Sequence, residues 1–196
     1  MYINKIYCRP AERRDADLLF EWVNDSKVRK NSLSSEKISY SEHINWFSKV
    51  LSDDSVEIYI YYLDDEPIGQ VRLNYSDNEV SISYSIAKKY RGQGYGKYII
   101  HDIEKIIIKN HSEVNTIHAK VKGDNTASQK IFEDNEYNQT SSEHTSQNQN
   151  ILEYRKTIDK NSIQTKISED LHKETEPGDG GENTPPNKQQ KRTQAL

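Results

Sequence analysis

The chain has 196 residues, which gives room for one domain of ordinary size and a tail but not for two large domains. A formal charge of -4 and a pI near 5.9 leave no global positive field to hold polynucleotides by phosphate neutralisation, so nucleic acid is not an expected partner. The one cysteine, Cys8, excludes an internal disulfide and any cysteine-built metal cluster; a buried structural thiol is expected there, and no metal.

The N-terminus reads Met1-Tyr2-Ile3-Asn4-Lys5, and no uninterrupted apolar run reaches half the length of a signal segment or membrane span. This predicts a cytoplasmic protein without membrane contact. From Asp15 to Asn24, Leu18, Leu19, Trp22 and Val23 recur at three- and four-residue spacings, the pattern of an amphipathic helix. A second helix is predicted to begin at Ser39, whose hydroxyl caps while Glu42 reaches back, with Ile44, Phe47 and Leu51 on its apolar face.

Val56 to Leu63 is rich in isoleucine and tyrosine, Asp64-Asp65-Glu66-Pro67 breaks it, and Ile68 to Tyr75 is again extended, which predicts a hairpin. After a turn at Ser76-Asp77-Asn78, Val80, Ile82, Tyr84 and Ile86 alternate with Glu79, Ser81, Ser83 and Ser85, the two-residue period of a strand with one apolar face. The three strands form an antiparallel meander. Beyond a glycine cluster at 92 to 96, Ile99, Ile100, Ile103, Ile106 and Ile107 mark a long one-sided helix. Thr116 to Val121 reads as a strand, Asn125 to Asp134 as a helix, and Ile151 to Ile158 as a last strand set apart from Tyr137 by a polar loop.

The fold class is therefore mixed α/β over residues 1–158. From 159 to 196 the chain is hydrophilic, with Pro-Gly-Asp-Gly-Gly at 177 to 181 and prolines at 185 and 186; such a segment cannot offset its ordering entropy and is expected to be a disordered tail. Ile163, Ile167 and Leu171 mark the one stretch of it with helical spacing.

The chemistry is concentrated in Tyr84 to Lys97, where a strand leads through Arg91-Gly92-Gln93-Gly94-Tyr95-Gly96 into a helix. Glycines let backbone N–H groups converge, and the helix start adds partial positive charge, so a diphosphate can be held with few cationic side chains. The dinucleotide fingerprint does not fit, because the glycines fall at every second position and follow a meander, and no Gly-Lys-Ser/Thr completes a phosphate loop.

Arg91-x-x-Gly94-x-Gly96 after an alternating strand resembles the coenzyme A pyrophosphate motif of the GNAT superfamily of N-acetyltransferases. Asn125-x-x-Ser128-x-x-x-Phe132, at the start of the following helix, is similar to that family's second cofactor element. The resemblance implies a mostly antiparallel twisted sheet splayed between strands 4 and 5, flanked by about four helices, with acetyl-CoA as co-substrate. It implies a cofactor site of Ile86, Ala87, Arg91, Gly92, Gln93, Gly94, Tyr95, Gly96, Lys97, Asn125, Ser128 and Phe132. Two positions depart from the family: Phe132 stands where many relatives carry a tyrosine that protonates the leaving thiolate, and Glu136-Tyr137 replaces Gly-Phe, although glycine favours the left-handed position that ends such a helix.

For proton transfer the candidates are His43, Tyr84 and Glu79. The segment Glu21 to Ser32 with Ile38, His43-x-x-Trp46-Phe47 and Pro67 to Arg72 resembles bacterial N-acetyltransferases that act on nucleotide-linked 4-amino sugars. That implies a small-molecule amine acceptor carrying its own diphosphate, with Arg29, His43 and Arg72 to meet the phosphates and Trp46 and Tyr84 to stack on uracil or sugar. A protein α-amine as acceptor, or a catalytically silent acyl-CoA-binding module, are the alternatives, and a homodimer is compatible with all three.

Overall fold

The computed structural model describes residues 5–145 and 149–158. Among them, seven strands make one sheet: β1 (Ile6–Pro10), β2 (Val56–Leu63), β3 (Glu66–Ser76), β4 (Glu79–Ile86), β5 (Thr116–Lys122), β6 (Asn138–His144) and β7 (Asn150–Thr157). Their order is β1-β2-β3-β4-β5-β7-β6, antiparallel throughout except for the parallel pair β4 and β5. Five helices accompany the sheet: α1 (Ala16–Val23), α2 (Ser26–Asn31), α3 (Tyr40–Val50), α4 (Tyr95–Asn110) and α5 (Thr126–Asp134). This is the expected mixed architecture with one helix more. The expected tail, including Ile163, Ile167 and Leu171, lies outside the described residues.

The meander closes through two tight turns in which Asp64 (φ 53°) and Asp77 (φ 52°) take the left-handed conformation, which aspartate tolerates better than bulky residues do. Asp64 Oδ1 also accepts the Lys5 amide at 2.9 Å. In β2 the successive residues Ile58, Tyr59, Ile60 and Tyr61 are all buried, because helices cover both faces of the sheet there. On one face α1 and α3 set Leu19, Trp22 and Phe47 against Ile58 and Ile60. On the other, α4 buries Ile99, Ile100, Ile103 and Ile107, and Asp102 accepts the Tyr61 hydroxyl at 3.0 Å.

α3 starts at the predicted capping box: Ser39 Oγ accepts the Glu42 amide at 3.3 Å and Glu42 Oε2 accepts the Ser39 amide at 2.8 Å. Its inner face is one residue out of phase with the expected one. His43 and Phe47 are buried, Ile44 is half-buried and Leu51 is exposed, since packing on α1 selects the stripe that meets Phe20 and Ala16. The polar loop expected between Tyr137 and Ile151 contains β6, an edge strand whose seven residues are all exposed and which pairs with β7 through its backbone.

α5 ends where the sequence lacks the usual glycine. Glu136 takes the left-handed position itself (φ 65°), the Tyr137 amide donates to Phe132 O at 3.0 Å and the Glu136 amide to Glu133 O at 2.9 Å. These are the two bonds of a Schellman cap, completed by the Phe132 and Tyr137 rings at 5.1 Å.

Candidate active site

β4 and β5 pair only over Glu79–Ser81 and Thr116–His118. Beyond Ser81 they part, and five further residues of β4, about 17 Å at the ordinary rise per residue, run to Ile86 with no β5 partner. The sheet is thus forked. β4 ends at the wide mouth of the fork, and a short 3-10 turn (Lys88–Tyr90) carries the chain into the glycine loop and α4.

In that loop Gly92 (φ 74°) and Gly94 (φ 86°) are left-handed, and a Cβ at either would meet nothing within 4 Å, so open space lies against the backbone. Gly94 caps α4, and its carbonyl takes the Tyr98 amide at 3.3 Å. No amide from Arg91 to Lys97 has a protein acceptor among the described residues. Such a row of free donors at the positive end of a sixteen-residue helix is an anion site. Gly96 serves a different purpose, since a Cβ there would come within 2.7 Å of Ile131 Cδ1 and 3.5 Å of Tyr84 Cε2, where α4, α5 and β4 meet.

The side chains around the loop are largely engaged. Arg91 donates from Nε to Ile86 O at 2.8 Å and from Nη2 to Asp25 Oδ1 at 2.8 Å, so its contribution to a phosphate is its amide and its hold on the loop, not a free guanidinium. Gln93 donates to Lys89 O at 2.9 Å, Tyr95 sets its ring edge-on to Tyr90, and the Ala87 amide is held by Ile68 O at 2.9 Å. Lys97 is exposed in the first turn of α4.

Across the fork, Asn125 caps α5 by accepting the Ser128 amide at 3.4 Å and donates from Nδ2 to Ser128 Oγ at 2.9 Å. Ser128 Oγ in turn lies 3.0 Å from the Tyr84 hydroxyl. This relay ties α5 to β4 beside the gap. Burial pushes the Tyr84 phenol up to about 12, against the lowering effect of Ser128, so it stays protonated at neutral pH.

Strand parity separates the remaining candidates. Tyr84 faces α4 and α5, with its ring 6.0 Å from Phe132. The opposite face of β3 and β4 carries Gln70, Arg72, Ser83 and Ser85, cross-strand partners of one another, and Arg72 lies under the half-exposed Trp46 of α3 at 5.7 Å. Tyr84 therefore does not share an acceptor surface with Trp46, which corrects that expectation. Arg72 has no ion pair or hydrogen bond among the described residues; its Nε is buried without a partner, and burial pushes its pKa down.

Packing places the other candidates, and it corrects two of them, His43 and Phe132. His43 is 2% exposed, wedged between Phe20, Trp46 and Phe47 with Nε2 2.8 Å from Ala16 O, so it braces α3 on α1 and reaches no cleft. Glu79 sits at the closed end of the fork on the same face as Ser81 and pairs with Arg155, so its carboxylate is engaged. Phe132 is buried among Tyr84, Tyr137 and Tyr154 and is core, not cofactor wall. Arg29 spends its Nη groups on Ser34 O, Glu36 O and Ser32 Oγ, tying α2 to the loop behind it.

Arg29 also lines a cleft of about 670 Å³ with Ser26, Lys30, Ser35, Lys122 and Asp124. Lys122, buried with Nζ 2.8 Å from Lys30 O, was not foreseen, nor was His118 on the same face of β5. The signal that marks them is the alternation His118, Lys120, Lys122 against buried Ile117, Ala119 and Val121. Among the described residues no group of His, Cys, Asp and Glu could hold a metal ion, and no helix is long and apolar enough to cross a membrane.

A forked mixed sheet with a glycine-rich anion site at its mouth defines an acyl-CoA-dependent transferase fold, and the chain belongs to the Acetyltransferase (GNAT) domain family, whose model matches residues 5–138. It is similar to acetyltransferase PseH of Campylobacter jejuni, 23% identical over 124 residues that cover 63% of this chain and 77% of the relative. Among solved structures it resembles spermidine N-acetyltransferase from Vibrio cholerae in complex with coenzyme A and spermine (TM-score 0.70, 16% identity, 78% of this chain and 95% of that one). It also resembles AAC(6')-Ib in complex with ribostamycin and coenzyme A (TM-score 0.69, 19% identity, 79% and 94%).

The protein is an acetyl-CoA-dependent N-acetyltransferase. Acetyl-CoA fits the site: the free amides of Arg91 to Lys97 and the space beside Gly92 and Gly94 suit its phosphates, and the unpaired inner edge of β4 suits an extended arm with amides. What it supplies is an acetyl thioester ready for attack by an amine.

Proposed function

We propose that the acceptor is the amine of a nucleotide-linked amino sugar of the UDP-4-amino-deoxyhexose type. The observation that carries this reading is the uncompensated Arg72 guanidinium beside Trp46, on the sheet face away from α4 and α5. A half-buried cation without a partner suits an anionic ligand group, and the exposed edge of an indole suits a planar base or a sugar. The cleft of Arg29, Lys30 and Lys122 adds further positive charge on a chain whose net charge is negative. The likeness to acetyltransferase PseH, together with the resemblance of Glu21–Ser32 and Pro67–Arg72 to amino-sugar acetyltransferases, supports the same acceptor class.

In this reading the glycine-loop amides hold the cofactor phosphates, with Asn125 positioning the arm. Tyr84, at about 12, is too weak an acid to give its proton to a thiolate whose own pKa is ~8.5; it donates a hydrogen bond to the departing sulfur. The remaining proton leaves with solvent.

The test follows free thiol while purified protein is incubated with acetyl-CoA and, separately, UDP-4-amino-6-deoxyhexose, kanamycin, spermine or a peptide with a free α-amine. Saturable release with the sugar nucleotide is expected. Turnover of another amine with none of the sugar nucleotide would overturn the proposal.

A further inference from the structure

We infer that His118 accepts the proton that the acceptor's ammonium group must shed. The inference rests on acetyl transfer to an amine and not on which amine is used. His118 occupies the last position at which β5 still pairs with β4, directly opposite Ser81, so it stands at the closed end of the fork. It points to the same face as Ser81, Ser83, Ser85 and Arg72, the face proposed above for the acceptor. A cofactor whose phosphates lie at the glycine loop and whose arm extends along β4 carries its thioester toward that closed end.

The imidazole has the features of a working group more than of a structural one. Its Nδ1 is buried with no hydrogen bond, 3.5 Å from Glu153 Oε1, and the ring makes no other hydrogen bond among the described residues. A buried nitrogen left unmatched costs stability that a packing role alone would not retain. The groups facing it are Glu79 from β4, Glu153 and Arg155 from β7, and Lys120 from its own strand; Glu153 is itself bound by Ser141 of β6 and by Arg155. Burial, then Arg155 and Lys120, push the His118 pKa down, while Glu153 and Glu79 oppose them. The net direction leaves a neutral ring at pH 7, able to take a proton.

The step balances. One ammonium proton passes to His118 and from there to solvent, which frees the nitrogen lone pair; the C–N bond to the acetyl carbon then forms as the C–S bond breaks, the thiolate departs with the sulfur electron pair, and the second proton shed by the new amide nitrogen protonates it, leaving amide, free thiol and one proton in solvent.

The test uses the full chain with His118→Gln, His118→Ala and Glu153→Gln. Carbon-13 NMR of the histidine rings, with and without coenzyme A, should give a His118 midpoint below its ordinary value of 6.5, and lower still in Glu153→Gln, which removes an attraction for the proton. A ring still charged at pH 7 with coenzyme A bound overturns the inference whatever the acceptor is. Thiol release with the amines named above separates the two readings, since wild-type rates identify the acceptor and variant-to-wild-type ratios report on His118. On any amine that wild type acetylates, both His118 variants are expected to lose ~10²-fold in kcat/KM at pH 7 with unchanged coenzyme A affinity, and to recover as pH approaches the amine's own pKa. Variant rates within about threefold of wild type across that range, against the ~10²- to 10⁴-fold of general base catalysis, sink it.

Discussion

Arg91 Nη2 and Asp25 Oδ1 meet at 2.8 Å, joining the cofactor loop to the N-cap residue of helix α2. Asp25 Oδ1 also accepts the amides of Lys27 and Val28, so one carboxylate caps α2 and anchors the loop. Asp25→Ala is expected to destabilise the fold by about 2–3 kcal/mol, a lost cap plus a lost charged hydrogen bond. Asp25→Asn, which keeps an acceptor oxygen, should cost less, as urea denaturation would show. Burial alone raises the Asp25 pKa, but Arg91 and the two amides outweigh it and the net direction is down. The stabilisation from this group is therefore present above the unfolded carboxylate value of ~3.9 and fades as pH falls through the lower folded value, so Asp25→Asn should flatten the acid limb of a Tm-against-pH curve.

Gly94 and Gly96 should respond differently to valine. At Gly94 (φ 86°) the side chain enters open space but the backbone is strained by about 1–2 kcal/mol, and the methyls occupy the anion site. Coenzyme A affinity, read by calorimetry, is expected to fall at least tenfold in a protein that remains folded. At Gly96 the new Cβ strikes Ile131, so the loss appears first in Tm, by the equivalent of about 1–3 kcal/mol.

Glu136→Gly is expected to stabilise. The residue holds a left-handed conformation at a helix end and its carboxylate is exposed, so removing the Cβ relieves about 1 kcal/mol of strain with little else lost. Equilibrium denaturation that shows no gain would mean that the exposed carboxylate contributes more than its weak 3.9 Å approach to Lys156 implies.

Lys156→Met should be far more damaging. Lys156 Nζ lies 2.8 Å from Glu104 Oε2 and 2.9 Å from Asn135 O, while Glu104 Oε1 is buried without a partner. Removing the cation strands a buried carboxylate, at a cost of about 3–5 kcal/mol. Adding Glu104→Gln to that variant should return most of the loss, which a double-mutant cycle in urea would measure.

Arg72→Met tests the acceptor face without touching the cofactor loop. The expected result is an acceptor KM raised about tenfold or more, the effect of losing one charged hydrogen bond, with coenzyme A affinity unchanged. Steady-state kinetics with the acceptor varied at saturating acetyl-CoA gives both values.

What could be read from residues alone followed physical periodicity. The capping box at Ser39, the alternation from Val80 to Ile86 and the isoleucines of α4 are local signals, and each marks its element. β6 has no apolar residue and α2 has only Val28, so neither carries a pattern; one exists through backbone pairing with β7, the other through the Asp25 cap. In the site, the glycines announced an anion cradle because backbone conformation depends on residue type. His43 and Phe132 had the right chemistry, but the face each takes depends on helix phase and sheet packing, which spacing does not reveal. His118 was overlooked because one histidine in a seven-residue strand becomes significant only once that strand is known to part from β4 at its position.

The fork also makes the free protein incomplete. Main-chain groups on the inner edges of β4 and β5 have only water to satisfy them until a ligand lies between, so amides there should exchange quickly with solvent deuterium and slow when coenzyme A binds. Occupancy then becomes part of the folding equilibrium, adding ~2.7 kcal/mol at a hundredfold excess over Kd. The lifetime of this enzyme would rise and fall with the supply of its own donor.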